Sequence, residues 1–341
     1  MTRMRMIALT MAGAAAASTA PVAASAQSLA DFYRGKTVRV IVGFSSGGGY
    51  DQYARLLVRH IGRHTPGNPA FIVQNMPGAA SLKSVVYLQQ QAPVDGTTIA
   101  TFNPGLISQS LTMPEKVNVD FRRFAWIGNI SEDFRVCFIW GAKNLKTLDQ
   151  VRSAKEIVFG TTGVGTSAYI EGRMLDEIFG VKLRQVQGYP GSADKRIAIE
   201  RGELDGDCGS WTSLPDDWLR DNKINLFVRF SRNTTADMPK DITFAGSLLK
   251  DPETRATYDL LMSGAEIGRP YIGPPGLLSD RLDALRNAFN ATMKDAEFLA
   301  DAKKQRLEVN PQTGQEVAAQ LAEIYKTSPA AIKRARAISG E

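Results

Sequence analysis

TVRVIVGFSSGGGYDQYARLL, residues 37–57, decides the architecture. Its first seven residues are a β-branched run, Ser45-Ser46-Gly47-Gly48-Gly49 is a glycine-rich loop, and residues 50–64 carry an amphipathic helical pattern. This is strand, tight loop, helix, and the unit recurs. Residues 70–74 precede Asn75-Met76-Pro77-Gly78 and a helical stretch over 82–91; residues 98–102 precede Asn103-Pro104-Gly105. Strand–helix alternation predicts an α/β fold with mainly parallel sheets.

A second series follows two strand-like runs, 126–130 and 135–140, which carry the chain towards another lobe. Residues 157–160 lead into Thr161-Thr162-Gly163-Val164-Gly165-Thr166 and a helix over 167–179. Residues 182–187 lead into Gly188-Tyr189-Pro190-Gly191-Ser192 and a helix over 194–201. Residues 204–209 form a short strand ending at Ser210 and Trp211. One architecture is used twice, and a chain of this length exceeds what one hydrophobic core usually serves. The expected division is residues 27–128 with 268–341 as one lobe and 129–267 as the other.

The start reads as an export signal. Arg3 and Arg5 form a positive region, residues 6–17 an apolar one, and Ala24-Ser25-Ala26 a cleavage site. The apolar stretch is shorter than the roughly 20 residues that span a bilayer, and no Cys at the cleavage site carries a lipid. The mature protein is expected to begin near Gln27, free in a periplasm. Losing two arginines lowers the net charge from +6 to +4 without leaving any dense basic block, which argues against nucleic acid as a partner. The two cysteines, Cys137 and Cys208, admit either a disulfide or two buried small apolar side chains.

In α/β sheets ligands sit beyond the carboxyl ends of the strands, where helix N-termini offer unpaired N–H groups. Two glycine-rich loops, 45–49 and 161–166, open helices in different lobes and are positioned to pinch one anion. No Lys or Arg lies within residues 43–54, 75–82, 101–114, 160–172, 187–194 or 208–219. Neutral donors are therefore expected to hold a single carboxylate. The strand-end aromatics Phe44, Tyr50, Phe102, Tyr169, Tyr189 and Trp211 favour an acid with an apolar or ring-bearing body over citrate.

At these residues the sequence resembles the substrate-binding subunits of tripartite tricarboxylate transporters, the Bug proteins. The resemblance is strongest at VRVIVGFSSGGGYDQYARLL (38–57), VQNMPGAAS (73–81), APVDGTTIATFNPG (92–105) and GTTGVGTSAYIEGRML (160–175). It implies a two-lobed closing (Venus flytrap) fold, no cofactor, and delivery of a small organic carboxylate to membrane permease subunits by a monomer. The family's first ligand loop falls on Phe44, Ser45, Ser46, Gly47, Gly48, Gly49, Tyr50 and Asp51. Its second falls on Gly163, Gly165, Thr166, Ser167 and Tyr169, with Tyr169 where the family usually has His. Asn103, Tyr189 and Trp211 complete the expected contacts.

Rival readings are weaker. Gly43-Phe44-Ser45-Ser46-Gly47 matches the G-x-S-x-G nucleophile elbow, yet it comes too early in the chain and no His follows His64. His60 and His64 have metal-ligand spacing, but Arg59 and Arg63 flank them, which favours a solvated basic face. Asp205 and Asp207 alternate in a short strand without a partner cluster and read as a strand end. No phosphate-binding G-x-x-x-x-G-K-[ST] occurs, and Gly163-x-Gly165 lacks the third glycine of a dinucleotide loop. No enzyme activity and no metal are expected. A sensor subunit serving a signalling receptor shares the fold and ligand, and the sequence does not separate it from a transport subunit.

Overall fold

The computed structural model describes residues 28–339, so the expected export signal lies outside the described residues. The strands are β1 (Thr37–Val42), β2 (Ala70–Asn75), β3 (Thr98–Thr101), β4 (Ala125–Asn129), β5 (Arg135–Trp140), β6 (Ile157–Thr161), β7 (Leu183–Gln187), β8 (Gly206–Ser210), β9 (Ile224–Arg229), β10 (Pro270–Gly273) and β11 (Gln312–Thr313). They form two open sheets, ordered β11-β4-β10-β3-β1-β2 and β7-β6-β8-β5-β9. This is the two-lobed α/β arrangement.

The sheets are mixed rather than mainly parallel. β1, β2 and β3 run parallel, as do β6, β7 and β8. β4, β10 and β11 pair antiparallel in the first sheet, and β5 pairs antiparallel with β8 and β9 in the second. β4, β5 and β10 flank the two crossings between sheets, which the sequence pattern of repeated strand–loop–helix units does not describe.

Helices cover both faces of β1, which explains its near-continuous apolar spelling. Val38, Val40 and Val42 pack with Leu56 and Leu57 of the helix Gly49–His60, while Ile41 faces Val85, Leu88 and Phe102 on the other side. Each such fully buried side chain contributes roughly 1.5–3 kcal/mol of transfer free energy. His60 and His64 do not lie on a solvated face. Asp301 accepts from His60 and Arg59, and Asp295 from His64 and Arg63, so this end of the first lobe is laced to the segment around the helix Ala296–Lys304.

The chain crosses between sheets twice, at residues 130–134 and 268–269, and the two crossings touch. Arg269 N donates to Ser131 O at 2.9 Å, and Asp133 N to Ala265 O at 2.7 Å. Gly268 has φ +65°, and a Cβ there would lie 2.2 Å from Ser131 O. Only glycine lets the crossings approach so closely. The helix Pro252–Ile267 that feeds the return crossing packs on the helices Gly105–Thr112 and Pro329–Ile338.

Candidate functional site

A small cavity of about 50 Å³ lies between the lobes, against the crossings. Three helices aim their first turns at it. Gly48, Gly49 and Tyr50 come from the helix Gly49–His60; Thr166, Ser167 and Ala168 from the helix Ser167–Glu177; Ser192 and Lys195 from the helix Ser192–Glu200. The first N–H groups of a helix have no intrahelical partner and carry the positive end of its dipole. Phe44 and Tyr50, stacked at 4.8 Å, form an aromatic wall, and Asn103 and Thr162 close the rim.

The floor is charged. Arg135, 7% exposed, donates from Nε and Nη2 to the two oxygens of Glu171 at 2.7 and 2.8 Å, from Nη1 to Asp133 at 3.2 Å, and from Nη2 to Cys208 O at 3.1 Å. Arg269 clasps both oxygens of Asp133, at 2.9 and 3.1 Å, and its guanidinium lies 4.4 Å from the Tyr50 ring centre. Lys195 pairs with Asp207 at 2.5 Å, both buried. Three cations and three carboxylates thus share a buried floor, and Arg135 and Lys195 line the cavity themselves.

These neighbours set the protonation states. Burial disfavours Arg135 as a cation, but Glu171 and Asp133 overcome it and hold the guanidinium charged. Burial pushes the Glu171 carboxyl up to about 7, with Arg135 pulling the other way. Burial likewise raises Asp207 against the pull of Lys195, and leaves its Oδ1 without a hydrogen-bond partner. Asp133 is held below the usual range because two arginines outweigh its burial. Cys137 and Cys208, opposite each other on β5 and β8, form a disulfide beneath the same floor.

Direct contacts hold the lobes together around the cavity. Ser45 N donates to Pro190 O at 3.3 Å, Ser45 Oγ to Asp194 at 2.6 Å, and Arg196 Nη2 to Gly47 O at 2.8 Å. Further out, Arg306 of the segment after the helix Ala296–Lys304 pairs with Asp216 and with Asp237, the latter at 3.0 Å, and lies over the Trp211 ring.

The expected contact residues divide accordingly. Phe44, Gly48, Gly49, Tyr50, Asn103, Thr166 and Ser167 line the cavity. Ser45 and Gly47 engage the opposite lobe, and Ser46 is exposed. Asp51 braces the first loop, accepting from Gly47 N, Arg55 and Asn75. Gly163 and Gly165 sit behind the rim, against Ala80 and Gln109 of the first lobe. Tyr169 turns away to donate to Ser339 O, Tyr189 lies beside Gly160, and Trp211 donates to Asp237. None of these last three lines the cavity, because helix phase and the interlobe seam take their rings elsewhere.

The expectation of neutral donors alone is corrected. The cations come from outside the loops: Arg135 opens a strand whose other residues are apolar, and Lys195 stands one residue beyond a cation-free loop. Each has an acidic signal in the sequence, Glu171 and Asp207, but in separate elements that only the fold brings together.

No family model matches the chain. A UPF0065 protein from the TAR-I ttuE-ttuC′ intergenic region of Agrobacterium vitis is 26% identical over 251 residues, 72% of this chain and 70% of that protein. Among solved structures, the periplasmic binding protein BugD superposes with a TM-score of 0.73 at 20% identity, over 91% of this chain and 99% of that one. MatC from Rhodopseudomonas palustris, solved with bound malate, gives 0.70 at 18% identity, over 89% and 99%. The resemblance to the Bug proteins holds.

In this Bug-like fold the G-x-S-x-G match has no hydrolase geometry. Ser45 gives its hydroxyl to Asp194, and the chain's two histidines are bonded to Asp301 and Asp295. Among the described residues no helix is long and apolar enough to cross a membrane.

Proposed function

We propose that this chain is a periplasmic solute-binding protein that traps a small organic carboxylate between its lobes and hands it to a permease of the tripartite tricarboxylate type. The observation that carries the reading is the pairing of buried Arg135 and Lys195 on the cavity floor with three helix N-termini around it. That combination suits an anion. The Phe44–Tyr50 wall gives the ligand an apolar side. Delivery to a permease and export of the mature chain rest on the Bug resemblance and on the signal-like start.

The floor's cations exceed its carboxylates by none with Glu171 ionised and by one with it protonated, so a triply charged citrate finds no matching surplus there. Dicarboxylates such as the malate held by MatC, and monocarboxylates with a ring or long apolar body, match the charge better, the bulkier of them only with the lobes further apart than the cavity of about 50 Å³ shows. A thermal-shift screen of the purified chain against organic acids tests this. Ligand at about 100 times its dissociation constant adds roughly 2.7 kcal/mol of stability, a shift of several degrees. Citrate giving the largest shift refutes the ligand class, and no shift with any carboxylate refutes the binding function.

A further inference from the structure

A cavity roomier than the interlobe one lies beside the hinge and holds about 280 Å³, close to the lower end of small-molecule sites. Asn129 at the end of β4 and Gln312 of β11 wall it from the first sheet, and Phe230 and Ser231, just past β9, from the second. Asp133 faces both this cavity and the interlobe one.

Two features give the cavity a chemical preference. Its floor is aromatic: Phe230 stacks on Tyr258 at 6.1 Å, and Phe244 meets Tyr258 edge-on at 6.3 Å. The Phe244 ring already takes two guanidinium groups, Arg229 at 4.9 Å and Arg255 at 5.9 Å. The edge, meanwhile, carries Glu132, Asp259 and Glu266 against Arg232, with Arg229 and Arg255 set back on Phe244. Asp259 is paired with Arg255 and Arg232. Glu132 accepts only from the neutral amides of Asn233 and Asn310, and among the described residues no cation lies within ion-pair distance of Glu132 or Glu266. Glu266 stands exposed at the rim, where burial of its carboxyl and then Asp259 raise it and Arg232 lowers it.

We propose that this hinge cavity is a second binding site, for a small organic cation: an ammonium or guanidinium on an apolar body about the size of one ring. The charged head takes Glu132 and Glu266, which no described cation holds in an ion pair, and the body lies against the aromatic floor. Anions are turned away by the same carboxylates. Because both lobes wall the cavity, its occupancy is tied to the angle between them. A cation here and a carboxylate in the interlobe site then alter each other's affinity by one common factor.

The test is calorimetry of the full chain with 2-phenylethylammonium, and with 2-phenylethanol as the neutral counterpart. Saturable submillimolar binding of the ammonium is expected, with the alcohol weaker by about tenfold or more. Glu132→Gln and Glu266→Gln should each weaken the ammonium by about tenfold and steepen no other response; unfolding curves verify that both variants are folded. Absence of saturable ammonium binding up to about 10 mM, equal binding of the alcohol, or undiminished binding by both variants overturns the proposal. None of these results bears on the carboxylate site, which the organic-acid screen reads separately.

Discussion

Ser45 of the first lobe donates its hydroxyl to Asp194 of the second at 2.6 Å, across the mouth of the interlobe cavity. The bond exists only when the lobes are closed, and its acceptor is an acid in the first turn of the helix Ser192–Glu200, where the dipole favours it. Ser45→Ala should therefore weaken carboxylate binding through the closed state, by about 1 kcal/mol or roughly fivefold, with folding unchanged. Calorimetry with the best acid from the screen measures it. Ester hydrolysis abolished by the same substitution would overturn the assignment of Ser45 to closure.

Gly165 and Gly48 make different demands. Gly165 has φ +79°, and a Cβ there would meet the Gln109 side chain of the first lobe at 2.0 Å. Gly48 has an ordinary φ of −86°, and its Cβ would meet only Ser192 at 3.7 Å. Gly165→Ala is thus expected to block full closure and cost at least tenfold in affinity, while Gly48→Ala stays within about threefold. Equal losses in both, measured side by side, would show that backbone conformation at residue 165 does not control closure.

How much of this was legible in the sequence follows from where each signal resides. The loops 45–49 and 161–166 were readable because strand, glycine loop and helix are consecutive, and the structure opens a helix at each. The charged floor was not readable. Arg135, Glu171, Lys195 and Asp207 belong to four elements, and each taken alone looks like a strand start, a helix polar face or a strand end. The Cys137–Cys208 bond was open for the same reason, since only the antiparallel register of β5 and β8 sets the two opposite each other. Aromatics at strand ends misled where the interlobe seam claimed them, as Asp237 and Arg306 claim Trp211.

Ala79, Ala80 and Ser81 have φ of 45°, 54° and 77°, three successive residues with side chains in the left-handed region. The run is held by Ser81 Oγ, which accepts from Asn103 N, and by Ala80 packing towards Gly163. Left-handed backbone costs an L-residue roughly 1–2 kcal/mol, and glycine escapes most of it. Ala79 is exposed, so Ala79→Gly removes strain without removing packing. A net gain of about 0.5–1 kcal/mol is expected, seen as a melting temperature raised by roughly 1–3 °C. A lower melting temperature would show that the strain at residue 79 is outweighed by the freedom glycine adds to the unfolded chain.

Glu171 makes binding depend on pH. Its carboxyl, wholly buried against Arg135, is raised from the ordinary 4.5 to about 7. The folded state thus holds this proton more tightly than the unfolded one. The stabilisation is full below about 4.5 and is lost as pH rises through about 7. The same proton acts on the ligand. With Glu171 ionised, the cations Arg135, Arg269 and Lys195 are balanced by Asp133, Asp207 and Glu171; with Glu171 protonated, the floor carries one surplus positive charge. A carboxylate should therefore bind more tightly at pH 6 than at pH 8 and take up a proton as it binds, even though the ligand itself stays ionised throughout. Titrations in two buffers of different ionisation enthalpy read that uptake directly. Glu171→Gln fixes the neutral state and should flatten the profile near its low-pH limit, within about threefold. Affinity that is flat in the native chain, or that rises with pH, would mean that Glu171 stays ionised beside Arg135 and that the floor is neutral at every pH in that range.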